Sequence, residues 1–406
     1  MPATALRCRI CEKQYPLDPI GVCAACFGPL YPVYDREEQR RTISRESIEA
    51  GPRSIWRYAD LLPVAAPADQ RLPAGLTPLV AAPRLAAAVG VRELWLKLDT
   101  ANPTHSFKDR VVAVACAKAL ETGATTLACS STGNLANAVA ARAAAEGIEA
   151  AVICPADLEP EKLIATAVYG ATILAVRGSY DDCSRLSVEL SFDLDWSFVN
   201  VGLRSYYAEG SKTLAYEVAE QLGWELPDAV VSPIGSGSMF TKVHQGFGDL
   251  LELGLVEGTR PRLIGGQAQG CSPVALAFAD GARVRPVRPD TIARSIAIGS
   301  PADGDLAVAT AVASRGAVHS VAEDEIVENI ALLAQTTGIF GETAPGVALG
   351  ALREAVRRGE LGENDRVVLL VTGDGLKTPG LVADRLDPVF VEPDADLILE
   401  SLGVTV

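Results

Sequence analysis

Three observations predict an α/β protein built on open, mostly parallel sheets with helices on both faces. Short apolar runs alternate with longer amphipathic or alanine-rich runs from Glu93 to Val371. Several strand-to-helix junctions carry glycines and hydroxyls, and in such folds sites gather at the carboxyl ends of strands. Two Cys-x2-Cys pairs near the start predict a separate small module.

Length and composition bound the rest. A chain of 406 residues exceeds one ordinary domain, so two or three units are expected. With 49% hydrophobic and 21% charged residues, it has enough apolar surface to bury sizeable cores. The net charge of −15 repels nucleic acid, and the basic clusters (Arg283, Arg285 and Arg288; Arg40 and Arg41) are too small and interrupted to override it. No stretch resembles a membrane span or a signal peptide, so a cytoplasmic protein without membrane partners is expected. Nine cysteines, an odd number, argue against a disulfide framework.

Residues 1–35 hold Cys8, Cys11, Cys23 and Cys26, two tight knuckles eleven residues apart. That spacing brings four thiolates together as structural tetrahedral zinc requires, with a redox dithiol as the alternative. The other five, Cys116, Cys129, Cys154, Cys183 and Cys271, lie in apolar surroundings and read as core residues. Residues 36–75, charged and then rich in proline and alanine, read as a linker.

Glu93–Leu98 alternates as a strand does and leads into Asn102–Arg110, where Thr104 and Ser106 are candidate helix caps. Lys108 then falls in the first helical turn, where the helix dipole favours a neutral amine. The other reading is a solvated lysine beside Asp109. Onward, strands are predicted at 125–129, 150–154, 171–176, 196–199, 229–233, 262–267 and 366–371. Helices are predicted at 133–146, 159–169, 180–192, 208–222, 239–253, 326–336 and 345–358, with a helical piece and a short strand in 302–322 and a packed terminal helix after Asp387.

Four junctions concentrate polar chemistry. Beyond Lys108, Ser130-Ser131-Thr132-Gly133-Asn134 reads as an anion nest or as an ordinary capped loop. Gly235-Ser236-Gly237-Ser238-Met239 offers free backbone N–H groups to a phosphate, although it matches neither a P-loop nor a dinucleotide fingerprint. Thr372-Gly373-Asp374-Gly375 places a hydroxyl at the end of a buried strand. Lysine, nest, phosphate cradle and terminal hydroxyl together describe a pyridoxal phosphate site.

The order of these motifs, with Glu209-Gly210-Ser211-Lys212-Thr213, resembles the threonine synthases of the fold-type II pyridoxal phosphate family from about Thr77 to Lys377. That resemblance implies a tryptophan synthase β-like fold with its site between a large and a small sheet domain. The expected boundaries are 1–35 for the zinc-ribbon-like module, 36–75 for the linker, 76–115 with 216–406 for the large domain, and 116–215 for the small one. It further implies Lys108 as the Schiff-base lysine and Phe107 beside the ring. Asn134 would lie on the phenolic oxygen, Gly235 to Met239 on the phosphate, and Thr372 on the pyridine nitrogen. Ser130, Ser131 and Thr132 would hold the substrate. The implied reaction takes O-phosphohomoserine and water to threonine and phosphate, in a homodimer.

Four places depart from that family's pattern. His105 replaces a glycine, Asp374 replaces a histidine, and the phosphate loop lacks glycine–asparagine repeats. Two family arginines are replaced by Tyr207 and Ala297, while Arg204 and Arg294 lie three residues earlier and are candidates for phosphate binding. The alternatives are β-replacement on O-phosphoserine, an amino-acid dehydratase, and a zinc-ribbon ligand-binding regulator.

Overall fold

The computed structural model describes residues 3–131 and 133–402. Strands β1 (Ala3–Cys8), β2 (Gln14–Tyr15) and β3 (Leu30–Tyr34) form an antiparallel sheet in the order β2-β1-β3. Strands β4 (Leu79–Ala81) and β5 (Glu93–Leu98) begin a second sheet as an antiparallel pair. The chain then builds a third, all-parallel sheet from β6 (Thr126–Ser130), β7 (Glu149–Pro155), β8 (Thr172–Val176) and β9 (Ser197–Phe198), ordered β8-β7-β6-β9. Strands β10 (Ala229–Pro233), β11 (Arg262–Ala268), β12 (Ala317–Val321) and β13 (Arg366–Val371) complete the second sheet, ordered β12-β11-β10-β13-β5-β4. Apart from the β4 edge its pairings are parallel. Among the described residues no helix is long and apolar enough to cross a membrane.

The expected α/β architecture is therefore present, and most elements lie within a few residues of their predicted places. Three expectations need correction. Residues 36–75 are not a bare linker: helices Arg36–Thr42 and Arg45–Glu49 and a 3-10 helix, Ile55–Leu61, bury Ile43, Ile48, Ile55, Trp56, Tyr58 and Leu61. Asp35 and Ser44 cap the first two helices. Short capped helices whose few apolar residues pack on another element leave only a weak periodic signal.

The helix predicted at 208–222 begins earlier, at Arg204, and tightens through a 3-10 turn at Gly210–Lys212 before Thr213–Gln221. The cause is close packing: a Cβ on Gly210 would lie 2.7 Å from the Arg110 carbonyl oxygen and 2.8 Å from Val111 Cα. The terminal helix forms at Ala395–Ser401, but its Leu397 and Ile398 are exposed, as is Leu402 just after it.

Beneath the start of helix Lys108–Glu121 lies a fully buried ion network. The Arg110 guanidinium donates to both Asp99 oxygens at 2.7 and 2.8 Å, to Thr77 Oγ1 at 2.9 Å, to Thr213 Oγ1 at 3.0 Å and to Glu217 Oε2 at 2.8 Å. Lys97 Nζ lies 2.6 Å from Glu217 and donates to the Thr77 carbonyl at 2.7 Å. Burial alone would raise the Glu217 carboxyl, but Arg110 and Lys97 outweigh it and hold the group down at about 2.

Removing one member of such a cluster leaves an uncompensated buried charge. Glu217→Gln is expected to destabilise the fold by about 3–5 kcal/mol in urea unfolding at pH 7. The wild-type contribution of Glu217 is complete above the unfolded carboxylate value of about 4.3 and is lost as pH falls toward its folded value. The variant should therefore lose less stability than the wild type between pH 5 and pH 3.

Candidate active site

The predicted junctions converge on one cleft between the second and third sheets. Its lining includes Phe107, Lys108, Ser130, Ser131, Asn134, Gly235, Ser236, Gly237, Met239 and Thr372. Thr132 lies outside the described residues.

Lys108 is the first residue of its helix, as expected, but the capping is inverted. Thr104 donates from both N–H and Oγ1 to the Asp109 carboxylate, at 2.8 and 2.9 Å, so Asp109 is buried and occupied rather than paired with Lys108. The loop before Lys108 is stitched to the end of β13: Phe107 N–H donates to the Thr372 carbonyl at 2.9 Å, and Ser106 bridges Gly373. The lysine Nζ donates to Tyr207 Oη at 3.0 Å and lies 4.7 Å from the Phe107 ring centroid. Burial lowers this amine below its ordinary value.

The other walls are built mostly from uncharged side chains. Ser131 Oγ accepts from Gly133 N–H at 3.0 Å and Ala136 N–H at 2.9 Å, so this side chain does cap helix Asn134–Glu146. Its hydroxyl proton remains a donor. Asn200 Nδ2 donates to Ser130 Oγ at 2.9 Å. Asn134 Nδ2 donates to Glu342 Oε1 at 2.5 Å. Burial raises the Glu342 carboxyl and also lifts the phenols of Tyr180 and Tyr207, which line the cleft as protonated donors. Helix Ser238–Glu252 starts directly after Gly237, so its free N–H groups open onto the Gly235–Gly237 loop.

Arg204 and Arg294 are not part of this lining. Arg204 is paired with Asp303 at 2.9 Å, and exposed Arg294 donates to the Asp157 carbonyl at 2.8 Å. Sequence reasoning missed Tyr180, Ser295 and Glu342 as wall residues, since no motif surrounds them; Tyr207 was visible only as a replaced arginine. His105 points away on the exposed rim with φ +59°, the left-handed region, which accounts for the glycine usual there. Asp374 caps the turn after β13 by accepting from Leu376 N–H at 2.8 Å.

In the N-terminal module the four sulfurs of Cys8, Cys11, Cys23 and Cys26 lie within 4.8 Å of one another. Ile10 and Ala25 N–H groups each donate to a cysteine sulfur at 3.4 Å, an arrangement that stabilises thiolates. The remaining five cysteines are buried, as expected.

A lowered lysine amine, a helix N-terminus behind a glycine-serine loop and a strand-end hydroxyl share one cleft. Residues 71–373 match the profile of pyridoxal-phosphate dependent enzymes. The chain belongs to that family. It is 35% identical to a threonine synthase of Methanosarcina acetivorans over 98% of both chains, and 33% identical to one of Methanocaldococcus jannaschii over the same shares. A Mycobacterium tuberculosis threonine synthase is 34% identical across 87% of this chain and 96% of its own. The fold is that of fold-type II enzymes. An L-serine ammonia-lyase from Rhizomucor miehei superposes with a TM-score of 0.64 at 21% identity, covering 74% of this chain and 94% of its own. Diaminopropionate ammonia lyase from Escherichia coli gives 0.65 at 21%, covering 76% and 86%.

As a pyridoxal-phosphate dependent lyase, the chain must offer its cofactor polar partners, and it does. Asn134 Oδ1, Glu342 Oε2 and Ser295 Oγ are buried in the cleft wall with no hydrogen-bond partner among the described residues. Gly373 protects this arrangement: a Cβ there would lie 2.1 Å from Glu342 Oε1. Gly373→Ala should therefore displace Glu342 from Asn134 and weaken cofactor binding about tenfold or more, read by titrating cofactor absorbance. His105→Gly should raise stability by about 1 kcal/mol in thermal unfolding, by relieving the left-handed backbone.

Proposed function

We propose that this lyase is threonine-synthase-like, taking O-phosphohomoserine and water to threonine and phosphate with pyridoxal phosphate carried on Lys108. The observation that carries the reading is the meeting of Lys108, Asn134, Gly235–Met239 and Thr372 around one cleft, in a chain similar over nearly its whole length to threonine synthases. The bound cofactor supplies an electron sink conjugated to the substrate nitrogen, which makes the protons on Cα and Cβ acidic.

The protein's own groups would then act as follows. The Gly235–Met239 loop and the helix start at Ser238 hold the cofactor phosphate through backbone N–H groups. Asn134 donates to the phenolic oxygen. Thr372 gives the pyridine nitrogen a neutral hydroxyl, which does not hold that nitrogen protonated as a carboxylate would. A weaker sink results, suited to elimination and replacement rather than aminotransfer. Ser130 and Ser131 donate to the substrate carboxylate. Lys108, its proton affinity lowered by burial, would take the Cα proton and serve the Cβ proton in turn once the substrate amine has displaced it from the cofactor. Arg204 and Arg294, near the cleft rather than in it, would reach the substrate phosphate only by leaving Asp303 and Asp157. Because no arginine lines the cleft among the described residues, β-replacement on the shorter O-phosphoserine is the second reading.

The four cysteine sulfurs fit a structural zinc ion by donor type and convergence, and we assign that role to Cys8, Cys11, Cys23 and Cys26. Purified protein is expected to hold one zinc per chain, and its removal to lower the melting temperature.

Borohydride reduction followed by peptide mass analysis should place the cofactor adduct on Lys108; an adduct on another lysine would refute the assignment. Phosphate release with identification of the amino acid product distinguishes O-phosphohomoserine from O-phosphoserine. Arg204→Ala should raise KM for O-phosphohomoserine about tenfold or more; an unchanged KM removes Arg204 from substrate binding.

A further inference from the structure

The short helix Arg204–Glu209 connects two places that are far apart in sequence. On its inner side Tyr207 Oη accepts a hydrogen bond from Lys108 Nζ at 3.0 Å. On its outer side the same helix is gripped by the N-terminal cysteine module. Ser205 Oγ donates to the Leu30 carbonyl at 3.1 Å, and Tyr206 Oη donates to the Asp18 carbonyl at 3.2 Å. Tyr34 Oη donates to Glu209 Oε2 at 2.5 Å. These three bonds engage residues 205, 206 and 209 of the helix and so bracket Tyr207 on both sides.

The module's hydrogen-bonding groups are not on a free tail. Asp18 lies between the two cysteine knuckles, Leu30 follows the second knuckle, and Tyr34 ends β3. The apolar packing is continuous as well. Leu6, Cys8, Cys23 and Leu30 belong to the same buried cluster as Leu203, Tyr206 and Tyr207. Glu209 is further fixed by Lys212 at 2.6 Å and by Lys242, and Lys212 reaches Asp249 at 2.9 Å. The Glu209-Gly210-Ser211-Lys212-Thr213 motif thus braces the C-terminal end of the helix against helix Ser238–Glu252.

We propose that the N-terminal cysteine module positions the active site: through Tyr34, Ser205 and Tyr206 it sets where Tyr207 holds its phenol against Lys108. Tyr207 is the catalytic residue in this relation, since it touches the reacting amine, and the other three act through it. The inference rests on Lys108 being the working lysine of the proposed reaction. A tether of this kind acts on rate rather than on substrate affinity, because it places the group that moves protons and not the groups that hold the substrate.

The test is a double-mutant cycle in the full-length enzyme, comparing the pair Tyr34→Phe with Tyr206→Phe in the wild-type and Tyr207→Phe backgrounds. In the wild-type background the pair should lower kcat about tenfold with KM changed by less than about twofold. In the Tyr207→Phe background it should lower kcat by less than about twofold. Equal losses in both backgrounds, or no loss in the wild type, would overturn the proposal. A second readout does not depend on which substrate is turned over. The pH midpoint for acetylation of Lys108 in the cofactor-free chain should move with Tyr207→Phe, move the same way with the pair, and move no further when both are present. A midpoint that Tyr207→Phe shifts and the pair leaves unmoved also overturns it. If the wild type releases no phosphate from O-phosphohomoserine, the substrate reading fails while the acetylation cycle still decides this one. Should the paired variant not fold, Ser205→Ala alone removes one tether and is read in the same two backgrounds.

Discussion

The arrangement of this enzyme depends on a buried cation two residues beyond Lys108, the lysine proposed to carry the cofactor. Arg110 is fully enclosed and saturates its donors on Asp99, Glu217, Thr77 and Thr213. Those partners come from the end of β5, the segment before β4 and helix Thr213–Gln221. A guanidinium without water must find acceptors in fixed directions, so it dictates where all three elements meet. Helix Lys108–Glu121 is thereby pinned at its first turn, and Lys108 acquires a defined direction into the cleft. The same contact explains why the chain crosses so closely at Gly210.

Around that lysine the protein keeps charge scarce. Among the described lining residues Lys108 is the one lysine or arginine, and the acidic Glu342 has its carboxyl raised by burial. Protonated phenols, hydroxyls, an amide and backbone N–H groups supply the remaining polarity. Such a lining stabilises charge that develops on a bound cofactor and substrate without competing salt bridges. The ion pairs that could disturb it are kept outside, as Arg204 with Asp303 illustrates.

Much of this was legible because local chemistry leaves local marks. The Lys108 junction, the Gly235–Met239 loop, Thr372–Gly375 and each cysteine knuckle combine unusual residues within four to nine positions. Residues whose role comes from a distant partner carry no such mark. Glu342 is an ordinary glutamate until Asn134 is placed beside it, 208 positions away in the chain. The helices within 36–75 were hidden for the same reason, since Tyr58 and Arg57 find their partner in Glu220.

By itself, the sequence determined the alternation of strands and helices, the lysine at a helix start, the glycine-serine loop before a helix and the four-cysteine module. Each is set by propensity, periodicity or spacing within a short window. Tertiary structure alone decided that Tyr207 would meet Lys108, that Arg204 would be drawn to Asp303, and that the cysteine module would seat on the helix between them. Those outcomes depend on which buried polar groups must find partners once the sheets close, and that is settled by packing across the whole chain rather than by any stretch of it.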